Sequence, residues 1–221
     1  MNTIYQSLKL LHIAAGSLAL LFGLTAILLR NNTKKHRPIG KIYFWSMTVI
    51  FLTAMFMATY KFNLFLFFIN IFTFHAAFTA YRSLKLKKLH EGQKPEYQDW
   101  LMDALNATAN VGLLIYGVYY ALHYSIEGGI IPMVFGSIGL RNSWVNIRRL
   151  RGVIRHKNYW LLAHIGGMLG SYIGAITAFL VNNNQKLGIP DMVAWLGPAV
   201  FIVPFIIREV RFYEKKATLH Q

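Results

Sequence analysis

The sequence predicts an all-α membrane protein, a seven-helix transmembrane bundle that forms one domain over residues 1–221. Three observations predict this fold class. The chain is 55% hydrophobic and only 14% charged, whereas an average soluble domain is about 25% charged. Its uncharged runs suit a bilayer core, which needs roughly 20 apolar residues per helix. Its basic residues also alternate regularly between these runs.

Each span is an apolar run bounded by charges. Five runs are clear and two are weaker, since one contains Arg141 and the last is short and contains two prolines. Counting six spans would make one segment re-entrant and would spoil the alternation of basic residues. We expect the first run to be retained rather than cleaved, because a basic cluster follows it and none precedes it. The expected spans are approximately 8–29, 42–60, 62–81, 103–126, 128–147, 158–183 and 192–207.

Basic residues outnumber acidic ones by 23 to 8. All but three of them fall in residues 30–41, 82–100, 141–159 and 208–216, and the exceptions are Lys9, Lys61 and Lys186. The positive-inside rule therefore places the N-terminus outside and the C-terminus in the cytoplasm. We expect a multi-pass protein of the bacterial cytoplasmic (inner) membrane, whose basic residues set its orientation in the lipid bilayer. This explanation leaves no need for a nucleic-acid partner.

The chain has no cysteine, which excludes disulfides, thiolate catalysis and cysteine-ligated metals. Two spans carry small residues at four-residue spacing, which favours tight helix packing or, in the sixth span, room for a flat cofactor. These are Ala15, Ala19 and Gly23, and Gly166, Gly170 and Gly174.

The fourth span has a polar face that we expect to point into the bundle. This face contains Asp103, Asn106, Asn110 and Gly117. Because Arg141 is predicted at a similar depth, it is the expected partner of Asp103.

Four of the eight histidines lie inside spans, and the predicted topology gives each a depth. His12 and His123 fall near the outer rim, and His75 and His164 fall near the inner rim. Two transmembrane b-type haems, each held by an axial histidine pair, require such a two-level arrangement. The leading specific hypothesis is therefore binding of haem b at these four histidines, with electron transfer across the membrane.

Two alternatives stay open. A zinc-dependent intramembrane hydrolase would use His75, Asp103 and His164 as metal ligands, with His36 or His156 in reach. In the other alternative the protein binds no cofactor and is not catalytic, and its membrane histidines only form hydrogen bonds between helices.

The string HRPIGK (36–41) begins the second span, where Pro38 suits a first helical turn. His36, Arg37 and Lys41 then lie at the level of the lipid headgroups. They are expected either to contact lipid phosphates or to dock an anionic or quinone-like redox partner.

Two segments at the start of the chain, LHIAAGSLALLFG (11–23) and KKHRPIGKIYF (34–44), combine His-Ile-x-x-Gly with His-Arg-x-x-Gly-Lys. Together with WLLAHIGGMLGSYIGAITAFLVNN (160–183) and WLGPAVFIVP (195–204), they resemble a family of uncharacterised bacterial polytopic membrane proteins, a domain of unknown function. The resemblance implies a loose similarity to b-type cytochrome bundles. Arg141 and Asn142 stand where that family has an acidic residue. The resemblance points to His12, Gly16, His36, Arg37, Gly40, His164, Met168, Ser171 and Tyr172.

Overall fold

The computed structural model describes residues 2–154 and 157–218, which form seven long α-helices and one short 3₁₀-helix. The α-helices are α1 (Asn2–Leu28), α2 (Thr33–Tyr60), α3 (Leu64–Ser83), α4 (Tyr97–His123), α5 (Ile126–Leu150), α6 (Tyr159–Leu187) and α7 (Asp191–Thr218). The 3₁₀-helix, Leu89–Glu91, lies between α3 and α4. The predicted all-helical fold is confirmed. Most helices run beyond the predicted spans, because a charge ends an apolar run without ending a helix.

Six of the described helices are long and apolar enough to cross a membrane, and α5 falls outside that group. Its 25 residues correspond to roughly 37 Å of helix, which is enough to cross a bilayer core. Its hydropathy is low because it contains Glu127, Arg141 and several glycine and asparagine residues.

The helices pack around α3, which contacts α2, α4, α5 and α6. α1 packs against α2 and α6, and α7 packs against α6. Short connections such as 61–63 and 124–125 make successive helices antiparallel. One end of the bundle therefore holds the C-terminal ends of α1, α3 and α5 and the N-terminal ends of α2, α4 and α6; we call it the basic end. Arg30 lies 3.6 Å from Glu209, which ties the C-terminal part of α7 to this end.

The α4–α5 contact is the most extensive in the bundle, and glycines make it close. A Cβ atom added to Gly129 would lie 2.5 Å from the carbonyl oxygen of Gly117, and one added to Gly139 would overlap the side chain of Asn110. Asn106 is fully buried, and its amide donates to Ser143 Oγ at 2.8 Å and to the Gly139 carbonyl at 3.1 Å. The prediction that the polar face of α4 points into the bundle is confirmed.

The two stripes of small residues behave differently. On α1, Ala19 is buried and a Cβ added to Gly23 would lie 2.5 Å from the Tyr172 ring, so tight packing is confirmed there. On α6, only Gly174 meets a neighbour closely, the Thr73 side chain of α3. A Cβ on Gly166 or Gly170 would meet nothing within 4 Å. For those two the packing interpretation is wrong, because they face the cavity described below.

Candidate functional site

A histidine–carboxylate pair lies at the centre of the bundle. His75 is on α3, Asp103 is on α4, and their side chains are 4% and 1% exposed. The Nε2–H of His75 donates to Asp103 Oδ1 at 2.7 Å. A neutral imidazole has only one N–H group, so Nδ1 of His75 then carries a free lone pair. No described protein group hydrogen-bonds to Nδ1.

The second carboxylate oxygen of Asp103 is held from α5. Asn146 Nδ2 donates to Asp103 Oδ2 at 2.7 Å, and Arg149 Nη1 donates to Asn146 Oδ1 at 3.2 Å. Side chains from three helices thus fix the carboxylate, which in turn orients the His75 ring. The expected pairing of Asp103 with Arg141 is wrong, because the side-chain donors to this carboxylate are His75 on α3 and Asn146 on α5, and Arg141 makes no contact with it.

His75 borders a cavity of about 160 Å³ between α3, α5 and α6. Arg141 lines the same cavity and makes no hydrogen bond or ion pair with any residue that the structure describes. Gly166 and Gly170 form part of its α6 wall, and the absence of side chains there keeps the space open. The remaining polar lining is Thr79, Asn142, Asn146 and Tyr159.

Charged side chains lie close to His75 at this cavity. Asp103 contributes a negative charge and Arg141 a positive charge, and the buried guanidinium of Arg149 adds a second positive charge behind Asn146. Within the apolar interior of a membrane, any further charge has to be compensated by an opposite charge nearby. Arg141 offers a positive charge to an anion that enters the cavity, and the free Nδ1 lone pair of His75 lies beside it as an acceptor. The arrangement can hold a small anion and a proton together.

A second histidine pair lies at the basic end. The rings of His36 on α2 and His164 on α6 have centroids 6.2 Å apart and are nearly perpendicular, at 85°. His36 Nδ1–H donates to the Ala26 carbonyl at 3.0 Å, and His164 Nδ1–H donates to the Ala80 carbonyl at 3.1 Å. A backbone carbonyl at Nδ1 fixes the tautomer that leaves Nε2 free to bind a metal. His36 thus faces the bundle, whereas Arg37 and Lys41 are exposed.

The two histidines expected near the outer rim are not brought together by helix packing. His12 Nδ1 is hydrogen-bonded to Thr53 Oγ1 of α2 at 2.9 Å. His123 is exposed; its Nδ1–H donates to the Tyr119 carbonyl of its own helix, and its ring stacks on that of Tyr119. α1 packs against α2 and α6, and α4 packs against α3 and α5.

The predicted zinc ligands are only partly assembled. His75 and Asp103 form the pair described above, while His164 turns towards Ala80 and His36. Over residues 2–154 and 157–218, no group of three or more histidine, aspartate or glutamate side chains is arranged to hold a metal ion. His156, the other expected neighbour, lies outside the described residues.

An ion-pair clamp joins α3 to α4 at the basic end. Arg82 donates to both carboxylate oxygens of Asp99, at 2.6 and 2.8 Å, and lies 3.0 Å from Glu96. Hydrogen bonds from the Gln98 amide and the Arg82 guanidinium lower the pKa of the exposed Glu96 carboxyl below its ordinary value. The clamp fixes the start of α4 and hence the height of Asp103, which lies one turn further along the helix.

Sequence reasoning missed three members of this site: Asn146, Arg149 and Asp99. A signal for Asn146 was present, because Arg141 to Arg149 covers just over two turns of α5 and places polar residues at 142, 143 and 146. No sequence signal shows that these positions face α4.

Residues 9–94 match the model of the family described as a predicted membrane protein, DUF2306, whose function is unknown. The match covers most of α1, all of α2 and α3, and the following loop, and it confirms the predicted resemblance to an uncharacterised family of polytopic membrane proteins over those residues. No curated protein and no solved structure matches the chain. With six candidate spans, the chain is a multi-pass membrane protein.

Proposed function

We propose that this membrane protein binds a small anion, of carboxylate type, in the cavity between α3, α5 and α6 and takes up a proton with it at His75. One observation carries the proposal: a histidine whose Nε2–H is held by a buried carboxylate borders a membrane cavity that is also lined by Arg141, an arginine without a hydrogen-bond or ion-pair partner among the described residues. Arg141 supplies the charge for the anion. Asp103 stabilises the imidazolium that forms when His75 is protonated.

The cavity volume limits the ligand to a small molecule. Drug-sized ligands occupy pockets of roughly 300–1,000 Å³, and this cavity is about 160 Å³. Asn142 and Tyr159 add hydrogen-bonding groups for the polar end of the anion. Gly166 and Gly170 leave an apolar wall for the rest of it.

The test measures binding of benzoate to the purified full chain in detergent by calorimetry. We expect binding with uptake of close to one proton, seen as a difference in heat between two buffers of different ionisation enthalpy. Arg141→Gln should weaken binding roughly tenfold or more, since it removes a charged hydrogen bond. Arg148→Gln on the same helix is the matched control, because Arg148 stacks on Trp144 away from the cavity.

His75→Gln separates the two parts of the proposal. It keeps a polar side chain of similar length and removes the titratable ring. Benzoate should still bind at Arg141, more weakly and without proton uptake. Equal proton uptake by His75→Gln and the unmodified chain would overturn the role of His75. Equal affinity of Arg141→Gln and Arg148→Gln for benzoate would overturn the anion site.

A second candidate function is electron transfer through haem b, and the geometry of His36 and His164 favours it. Two imidazoles that bind one metal through bonds of about 2 Å have ring centres roughly 6 Å apart, and these centroids are 6.2 Å apart. Each ring has its Nδ1–H on a backbone carbonyl. The centroid separation is that of an axial pair, and haem bound between the two rings would supply one-electron chemistry. This candidate pairs His164 with His36, and the predicted pairing of His164 with His75 stays a prediction.

The visible spectrum of the purified protein, with metal content measured on the same sample, tests this candidate. We expect a Soret band that is lost in His36→Ala and in His164→Ala and retained in the control His90→Ala. If the band is lost in His75→Ala but retained in His36→Ala, the axial ligands of the inner haem are His75 and His164 rather than His36 and His164. A decrease of the Soret band in His12→Ala as well would indicate a second haem at the predicted outer pair, His12 and His123. A colourless sample, with or without zinc, would overturn the haem function.

With these functions we propose a topology of seven spans in a bacterial inner membrane. The N-terminus then lies outside, and the basic end lies on the cytoplasmic side. This topology is supported by the placement of basic residues and by the length of α5.

A further inference from the structure

A cleft at the basic end is lined by cations. It lies between the loop that follows α3 and the beginning of α6, and we call it the basic cleft. Its charged and aromatic lining is Lys87, His90, Arg149, Lys157, Tyr159 and Trp160. It is separate from the cavity that contains His75, although Tyr159 borders both.

Arg149 forms the buried part of the cleft. The residue is 3% exposed, and its Nη1 donates to Asn146. Its Nη2 is buried and has no hydrogen-bond partner among the described residues. A buried charged donor without an acceptor is costly. An acceptor from outside the chain, placed in the cleft, would satisfy it.

The nearby carboxylates are already engaged elsewhere. Asp99 is held by Arg82, and Asp103 is held by His75 and Asn146. Glu91, on the loop, lies 3.3 Å from His90. The cleft therefore keeps an excess of positive charge, to which Lys87 and Lys157 add at its mouth.

The shape of the cleft admits one oxygen rather than a whole ligand. Its volume is about 10 Å³, which is close to the space that a single water molecule needs. A phosphate group fits by placing one oxygen against Arg149 and leaving its other oxygens at the mouth. Lys87 lies 4.4 Å from the centre of the Trp160 ring, which holds its ammonium group beside that mouth.

We propose that the basic cleft binds the phosphate of an anionic lipid headgroup. A lipid is favoured over free phosphate because the cleft opens at the ends of apolar helices, where headgroups lie, and is flanked by Trp160 and Tyr159, residue types typical of the membrane interface. Basic pockets between helices on the cytoplasmic side are a common form of anionic-lipid site.

The test titrates the purified full chain in detergent with dioleoyl phosphatidylglycerol and counts bound lipids by native mass spectrometry. Phosphatidylcholine, which carries the same phosphate without net charge, is the comparison lipid. We expect one phosphatidylglycerol to bind at least tenfold more tightly than phosphatidylcholine. Equal binding of the two lipids would overturn the proposal.

Two sets of variants locate the site. Arg149→Gln should abolish the preference for the anionic lipid. Lys87→Gln with Lys157→Gln, which leaves the buried network intact, should lower affinity severalfold even if Arg149→Gln fails to fold. The matched control is Lys85→Gln with Lys88→Gln, exposed lysines of the same loop that do not line the cleft.

Unchanged lipid binding in the Lys87 and Lys157 double variant would contradict the assignment. Displacement of the lipid by millimolar inorganic phosphate would overturn the lipid source in favour of a free-phosphate site. Retention of the lipid in that competition is the expected result.

Discussion

Asp103 shows how a single residue sets the chemistry of the bundle centre. Its two oxygens accept from His75 on α3 and Asn146 on α5. A carboxylate can accept from both sides at once, whereas an amide has one acceptor oxygen and one donor nitrogen. The acid is therefore required at this position for its hydrogen-bonding pattern as well as its charge.

We predict that Asp103→Asn destabilises the protein by about 1–3 kcal/mol, because the new amide must direct a donor at either His75 or Asn146. Chemical denaturation in detergent micelles measures the change. Glu127→Gln is the control, since Glu127 is an exposed acid at the start of α5. If Asp103→Asn unfolds at the same denaturant concentration as Glu127→Gln, the carboxylate does not hold this network together.

The sequence shows which helix carries a polar residue, but not which side chain of another helix it contacts. His75 lies on α3, within the predicted third span, and its Nε2–H donates to Asp103. Arg141 and Asn146 are five residues apart on α5. Both border the cavity, yet only Asn146 reaches Asp103.

Among the helices, α5 differs most from its expected pattern. It falls outside the group of described helices that are apolar enough to cross a membrane. Its glycines and asparagines lower its hydropathy because they serve the contact with α4 rather than contact with lipid. Its buried glycines, Gly129, Gly136 and Gly139, follow a seven- and three-residue spacing. Residues at that spacing also lie along one helix face, so the sequence contains a signal for the close packing of α5. Four-residue spacing of small residues points to α6 instead.

We predict that one of two glycine substitutions destabilises the protein and that the other has little effect. Gly139→Ala drives a methyl group into the buried Asn110 side chain and should cost about 1–3 kcal/mol, as overpacking typically does. Gly166→Ala meets nothing within 4 Å and should leave the unfolding temperature in detergent nearly unchanged. If Gly166→Ala is the more destabilising of the two, the α6 stripe packs against another helix after all.

On the scale of the whole molecule, the fold was largely predictable and the sites were not. Apolar runs determine where helices lie, and short connections make neighbouring helices antiparallel. The sites depend on which helices meet: α3 touches four others, which brings His75 to Asp103 and leaves His12 apart from His123. The family match, which ends at residue 94, covers only one member of the central pair.

The seven-helix count determines the side of the membrane on which each connection lies. If α5 crosses, the connections before and after it are on opposite sides. If α5 does not cross, Glu127 and Arg151 face the same compartment, and α6 and α7 cross the membrane in the opposite directions. The Arg30–Glu209 contact supports crossing, since it brings the C-terminal part of α7 to the basic end.

Because the chain has no cysteine, single-cysteine variants can report the side of the membrane on which each connection lies. The reagent is a membrane-impermeant maleimide applied to intact cells. We expect Lys61→Cys and Glu127→Cys to be labelled from outside. Lys94→Cys and Arg151→Cys, at the basic end, should be labelled only after the membrane is opened. All four positions are exposed, so failure to react reports the membrane rather than burial. Labelling of Arg151→Cys from outside together with Glu127→Cys would mean that α5 does not cross. The loop after α3 and the beginning of α6, which line the basic cleft together, would then lie in different compartments.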